Sequence, residues 1–321
     1  MYVYAGIDEA GYGPFYGPMT TGRAVFAIPE ADASAPPPSL WKRLSGVVGR
    51  AGGPRGAIPV DDSKRLKTAA AGLKKLEPGC LAFAAAAGRE ALSVERWLEH
   101  VADIPPEDLP WYAGGSEPLP SAISPGEFAI ARGMLRNACQ QSELIVADLK
   151  VAVCYEDRFN RMIDATRSKA AVGFAFVSGH LDAIFQRFGA HKPRVFVDRQ
   201  SGRVRYRDPL HTAFPDLVLD VLEESPERSI YRLADPSTGR EMAVCFQTAA
   251  ESAHLPVALA SMLAKYTREL LMARFNAWFV DRLPGLAPPA GYGRDANRFR
   301  DDIAPHLSRL GVDPAELRRR A

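Results

Sequence analysis

The chain reads as an α/β protein, and three observations carry that reading. Short runs rich in strand-forming residues alternate along the chain with longer stretches of helical character, and Gly/Pro-rich segments separate them. The chain holds 321 residues, 47% hydrophobic and 24% charged, which is ordinary globular composition and long enough to bury a core. A first apolar strand ends on two adjacent carboxylates, Asp8-Glu9, and a glycine- and proline-rich turn follows. The net charge of +2 does not announce a nucleic-acid surface, so any such surface is a local patch. Cys80, Cys139, Cys154 and Cys245 lie far apart without a CxxC pair. They read as buried reduced thiols rather than a zinc site or a disulfide framework. No apolar run approaches the ~18 residues of a membrane span, and no leader pattern opens the chain, so the expectation is a soluble cytoplasmic protein.

The opening strand starts at Tyr2 and stops on Asp8-Glu9. Taken alone, Asp8 and Glu9 are either a turn cap after an edge strand or a pair whose repulsion and desolvation call for a cation, and a divalent metal supplies one with hard oxygen ligands. Residues 20–28 (TTGRAVFAI) read as a second strand, followed by a proline-rich loop and a helix near 40–48. Residues 51–60 are irregular, and Asp62 or Ser63 caps a helix start at Asp61-Asp62-Ser63-Lys64-Arg65-Leu66. The apolar run 80–88 (CLAFAAAAG) reads as a strand, residues 93–101 as a helix and 104–123 as an exposed loop. A helix over 125–141 leads to a strand over 144–153. Asn160 opens a further helical stretch, with Asp148 and Asp164 taken as surface or capping acids. Residues 193–198 form a strand that ends on Asp198. Arg203, Arg205 and Arg207 alternate and would share one face of a strand. Residues 217–247 hold two or three more strands, including 229–233 and 242–247. A long helix spans 250–280, and Gly291-Tyr292-Gly293 opens the last helical segment. Arg318-Arg319-Arg320 reads as a solvated tail.

The string Asp8-Glu9-Ala10-Gly11-Tyr12-Gly13-Pro14-Phe15-Tyr16-Gly17-Pro18 resembles the opening motif of the type 2 ribonucleases H, Asp-Glu-Ala-Gly-x-Gly-Pro-x-x-Gly-Pro. Asp62-Ser63-Lys64-Arg65-Leu66 is similar to the Asp-Ser-Lys-Lys-Leu string that follows it in the family. Ala250-Glu251 with Ala260-Ser261 and Ala264-Lys265-Tyr266-Thr267-Arg268 resembles the family's Ala-Asp…Ala-Ser-x-x-Ala-Lys-x-x-Arg helix. The stretch from Asn160 to Ala165-Thr166 resembles a backbone-contacting helix, and Tyr292 matches a sugar-packing tyrosine.

The resemblance implies a ribonuclease H-like fold: a mixed central sheet with its first strands antiparallel, flanking helices and a helical C-terminal segment. It divides the chain into a catalytic domain over 1–270, with an insertion near 100–125, and a helical segment over 271–321 packed on it. It further implies a monomeric endoribonuclease acting on RNA/DNA hybrids or on ribonucleotides embedded in duplex DNA. Asp8, Glu9, Asp198 and Glu251 would be the catalytic acids and would hold two Mg²⁺ or Mn²⁺ ions. Gly11, Tyr12, Gly13, Ser63, Lys64, Asn160, Thr166, Ser261, Lys265 and Tyr292 would meet the nucleic acid. Two positions depart from the pattern of the HII branch. Glu251 stands where that branch has Asp, and Tyr12 replaces an arginine and its phosphate contact. Glu251 and the pair Phe15-Tyr16 lean toward the HIII branch. Two other readings stay open: a DNA-junction nuclease of the same superfold, and a silent nucleic-acid-binding relative.

Overall fold

Alternation in the first strand decides how both sides of the molecule are built. In a computed structural model describing residues 1–29, 35–68, 70–105, 108–200, 202–289 and 291–320, β1 (Tyr2–Ala10) sends Val3, Ala5 and Ile7 into one apolar core. Tyr2 and Tyr4 go into a second core on the opposite face. β2 (Met19–Ile28) returns antiparallel to β1. Next come α1 (Leu40–Arg43), the short paired strands β3 (Val48–Gly49) and β4 (Ile58–Pro59), and α2 (Ser63–Leu66). The chain continues through α3 (Glu77–Ala86), α4 (Val94–His100), β5 (Ala102–Asp103) and α5 (Pro125–Gln141). β6 (Ile145–Cys154), α6 (Glu156–Thr166), α7 (Lys169–Phe188), β7 (Arg194–Asp198) and α8 (Arg207–Ala213) follow. β8 (Val218–Glu224), β9 (Arg228–Asp235) and β10 (Arg240–Gln247) form a meander ahead of α9 (Ala250–Ala253) and α10 (Leu255–Arg282). α11 (Gly293–Ile303), α12 (Leu307–Leu310) and α13 (Pro314–Leu317) complete the helical segment.

The eight-stranded sheet has the order β5-β6-β2-β1-β7-β10-β9-β8 and is mixed. β1, β7 and β10 run parallel at its centre, and β2 is antiparallel to both β1 and β6. α7 and α8 cover one face. α10 lies on the other and comes unusually close. A Cβ on Gly6 would sit 2.2 Å from the Pro256 carbonyl carbon, and one on Gly22 would sit 2.3 Å from the Ala260 oxygen. Those two bare positions let the helix backbone rest on β1 and β2, and Thr20 Oγ1 donates to the Ala264 oxygen at 2.9 Å. The four cysteines are buried and free. Among the described residues no helix is long and apolar enough to cross a membrane.

Several expectations are corrected. Of residues 80–88, 80–86 are helical within α3, where alanine favours a helix and Pro78 sits in the first turn. The helix expected near 40–48 ends at Arg43. The segment 104–123 is exposed over much of its described length, as at Gly114, Gly115 and Glu117, but is anchored by buried Leu109, Trp111, Tyr112 and Leu119. Its backbone is satisfied by the fully buried Glu77, which accepts from the amides of Ser121, Ala122 and Ile123 and from the Ser121 and Tyr266 hydroxyls. Arg203 and Arg205 lie outside any strand, and Arg207 opens α8. Asp148 is buried between Arg23, Arg89 and Arg187 at 2.8, 2.6 and 3.4 Å. Asp164 is exposed and pairs with Arg320. The basic tail is docked rather than solvated: Arg319 is buried and Arg318 lies 4.7 Å from the Phe15 ring centroid.

Candidate active site

Strand register brings the acids to one end of the sheet. β1 and β7 are parallel with Ile7 level with Val197, so the next residues, Asp8 near the end of β1 and Asp198 at the end of β7, lie beside each other. Both continue the face that carries Gly6 and Phe196, the side toward α10. β10 ends level with Asp198 at Gln247, and the chain turns into α9, which presents Glu251. The amide of Ala250 donates to Asp198 Oδ1 at 2.9 Å. Glu9, one residue further, points to the α7 side. The site thus sits beyond the carboxyl ends of the central parallel strands, where α/β sheets open a crevice.

The acids feel one another. Burial and then the Glu9 charge hold Asp8 well above the usual carboxylate range, and Glu251 adds to this. Burial and the Asp198 charge push Glu9 up to about 7, against the lowering effect of Gln200 and Lys64. Burial, Asp8 and Glu251 push Asp198 up to about 8. Glu251 Oε2 is buried without a hydrogen-bond partner. Crowded, desolvated hard oxygens with an orphan lone pair are what a divalent cation relieves, so the donor set fits Mg²⁺ or Mn²⁺. The oxygens do not form a closed cage as they stand: among the described residues no three His, Cys, Asp or Glu side chains already grip a common point.

The remaining expected contacts divide into two groups. Ser261 favours the charged form of Asp8, and its Oγ meets Ser63 Oγ at 3.0 Å, tying α10 to the start of α2. Lys64 is exposed at that helix start, capped by Asp62, and acts on Glu9. Tyr292 precedes α11 at its N-cap, is 49% exposed, and among the described residues is the one neighbour a side chain on Gly13 would meet within 4 Å, at 3.7 Å. Tyr12 turns its ring toward α7, with Lys169 Nζ 5.0 Å from the centroid. The other group is engaged elsewhere. Lys265 pairs with Glu269 at 2.8 Å. Thr166 donates back to the Met162 oxygen at 2.7 Å. Asn160 is buried and binds the tail, donating to the oxygens of Ala315 and Arg318 and accepting from the Arg320 amide.

Two residues escaped the sequence reading. Arg319 donates through Nη2 to the Gly11 oxygen at 2.6 Å and through its amide to the Phe15 oxygen at 2.8 Å. Arg268 donates to the Tyr16 and Pro18 oxygens, and Glu156 accepts from the Gly17 amide. The glycine turn is therefore braced from α6, α10 and the tail. Nothing in a triple arginine distinguishes such a brace from a solvated end. Gln200 is the second, two residues past Asp198 and beside Glu9; its place next to a carboxylate-ended strand was the available signal.

No family model matches the chain, and no curated protein matches it. Solved structures that it resembles are type 2 ribonucleases H. They include Bst-RNase HIII in complex with Mn²⁺ (14% identity, TM-score 0.45, covering 99% of this chain and 66% of that one). The RNase HII complexed with PCNA from Archaeoglobus fulgidus gives 13% identity and a TM-score of 0.39, covering 99% and 94%. The ribonuclease H2 from Pyrococcus horikoshii OT3 gives 14% and 0.40, covering 98% and 92%. At such distances the likeness assigns neither a substrate nor a residue's role.

Proposed function

We propose that this chain is a metal-dependent endoribonuclease that hydrolyses the RNA strand of RNA/DNA hybrids, or ribonucleotides embedded in duplex DNA. The observation that carries the reading is the gathering of Asp8, Glu9, Asp198 and Glu251 from three parts of the sequence at one sheet end. Burial and the neighbouring charges raise the proton affinity of Asp8, Glu9 and Asp198, an arrangement that costs stability unless a cation is bound. The matching motif strings around Asp8, Ser63 and Ser261 support it independently.

When bound there, Mg²⁺ or Mn²⁺ would activate the attacking water and stabilise the leaving oxygen. The chain's own residues do the rest. Asp8, Asp198 and Glu251 offer oxygens on the α10 side and Glu9 from the α7 side. Ser261 favours the charged, ligating form of Asp8 against the burial and neighbouring charge that oppose it. Lys64, at a helix start and free to swing, draws a phosphate toward the acids. Gly13 leaves backbone open beside the exposed ring of Tyr292, where a sugar edge packs and its 2′-hydroxyl is sensed.

The test is cleavage of three labelled duplexes in Mg²⁺ and in Mn²⁺: an RNA/DNA hybrid, DNA with one ribonucleotide, and all-DNA, with Asp8→Asn as control. Cutting of either ribonucleotide-containing duplex that Asp8→Asn abolishes supports the reading. Cutting of the all-DNA duplex as readily, or of none, overturns it.

A further inference from the structure

The helix that carries Glu251 is too short and too exposed to hold itself in place. Of the four residues of α9 only Ala250 is buried, and Thr248 and Ala249 ahead of it are exposed. Ala249 enters the helix with a φ of 51°, a left-handed backbone unfavourable for alanine. Beyond the exposed Arg50, which donates to the Ser252 oxygen at 2.7 Å, what fixes α9 is its two ends. At the first, the Ala250 amide donates to Asp198 Oδ1 at 2.9 Å. At the other stands His254, whose amide donates to the Ala250 oxygen at 2.8 Å and whose carbonyl accepts from the Val257 and Ala258 amides. His254 is thus the extended residue that joins α9 to the 28-residue α10.

The side chain at this joint reaches three strands of the sheet. His254 Nδ1 lies 2.6 Å from the Tyr4 hydroxyl on β1, and its Nε2 lies 3.3 Å from Gln247 Oε1 on β10. Its ring stacks on Phe196 of β7, with centroids 3.8 Å apart and planes inclined by 24°. Tyr4 closes the group edge-on to both rings, at 5.6 and 5.9 Å. An amide oxygen only accepts, so Nε2 carries the ring proton and Nδ1 accepts from Tyr4. Packing alone would be served by a phenyl ring, which has no polar atoms to satisfy at a sheet surface. An imidazole with both nitrogens engaged fixes the joint in rotation as well as in place. The strands it spans are those that end at the site: Phe196 is two residues before Asp198, and Gln247 is level with Asp198. Glu251 lies one turn before His254, its carboxyl meets that of Asp198, and its Oε2 is buried without a partner. A swing of α9 about the joint would carry that carboxyl away.

We infer that His254 is a positioning residue: bonded to Tyr4 and Gln247 and stacked on Phe196, it holds α9 so that Glu251 faces Asp198 ready to share a divalent cation. The inference rests on the reading of the four acids as a metal site, and its test separates the two. Mn²⁺ binding is measured by electron paramagnetic resonance of the free ion, without nucleic acid, and melting in EDTA verifies folding. His254→Phe keeps a stacked ring and removes both bonds. It is expected to weaken Mn²⁺ binding about tenfold. The Mn²⁺ needed for half-maximal cleavage of an RNA/DNA hybrid rises by a similar factor, and the KM for the hybrid stays unchanged. Adding Tyr4→Phe removes the hydroxyl left unpaired and recovers stability, yet Mn²⁺ binding stays as weak. In a Glu251→Gln background His254→Phe costs nothing further. Gln247→Ala, which removes one bond and leaves the ring in place, weakens binding about threefold. Three results each overturn the positioning role: parent affinity in a folded His254→Phe protein, affinity that returns with stability in the Tyr4→Phe/His254→Phe protein, or a tenfold loss that persists beside Glu251→Gln. Where His254→Phe does not fold, parent affinity in Gln247→Ala overturns it. A parent that binds no Mn²⁺ overturns the metal-site reading as well.

Discussion

Replacing Asp8 by asparagine keeps the shape of a side chain near the end of β1 and removes one of four crowded charges. The folded chain holds Glu9 up to about 7 and Asp198 up to about 8, against ordinary values of 4.5 and 3.8. The folded state therefore binds more protons than the unfolded one between about pH 4 and 8, and the metal-free protein loses stability as pH rises through that window. One unit corresponds to about 1.4 kcal/mol, so the Glu9 shift alone is worth about 3 kcal/mol. Burial leads both shifts and the neighbouring charges follow it, shared between the groups, so the two do not add. Asp8→Asn is expected to stabilise the metal-free protein at pH 7.5 by about 2–3 kcal/mol, a rise of roughly 4–8 °C in melting temperature for a chain of this size. Metal acts in the opposite sense on the pair of proteins. Mn²⁺ at 100 times its dissociation constant adds about 2.7 kcal/mol to the parent, more at pH 7.5 than at pH 6, where protons compete. It adds little to the variant. The assay is differential scanning fluorimetry of both proteins in EDTA and in Mn²⁺ at the two pH values. A variant that melts below the parent in EDTA, or that gains as much from Mn²⁺, refutes the argument that these carboxylates form a strained cation site.

The remaining predictions concern the framework. Glu77→Ala leaves three amides and two hydroxyls without their acceptor and is expected to cost about 3–5 kcal/mol. Urea unfolding would measure it, and a loss under 1 kcal/mol would show that the 104–123 segment is held by its apolar anchors alone. Gly22→Ala puts a methyl 2.3 Å from the Ala260 oxygen, a backbone atom. It is expected to cost more than the ~1–3 kcal/mol of ordinary overpacking and to give insoluble protein, whereas the same change at the open mid-helix position Gly133 leaves the protein soluble and raises the urea midpoint slightly. His180 is fully packed between Arg23 and the Thr21 oxygen, and burial pushes it down to about 4. Its contribution is present above about pH 6.5 and lost as pH falls toward 4, so His180→Gln should flatten the acid limb of the stability profile.

The central sheet was legible because its strands carry their burial in their residue order. Tyr-Val-Tyr-Ala-Gly-Ile reads as a strand whichever face is considered, and the residue after it had to be exceptional. The acids were legible for the related reason that carboxylates at strand ends interrupt an otherwise apolar pattern. The run Cys80-Leu-Ala-Phe-Ala-Ala was not, because α3 is buried on nearly every side and shows no polar stripe to reveal a 3.6-residue period. The 104–123 segment misled in the opposite direction. Its prolines and acids suggest solvent, while a carboxylate some forty residues earlier in the chain supplies the buried acceptor its amides need. Asp148 looked like a surface acid because its three arginines come from distant elements.

The brace on the glycine turn has a consequence for how the protein comes into being. Gly11 and Arg319 are 308 positions apart, so during synthesis the turn beside the acids has no Arg319 to close on until those further residues have been made. A nascent chain that stops short of Arg319 carries the acid-bearing strands without the brace. Bracing of the turn is thereby separated in time from the making of the acids themselves.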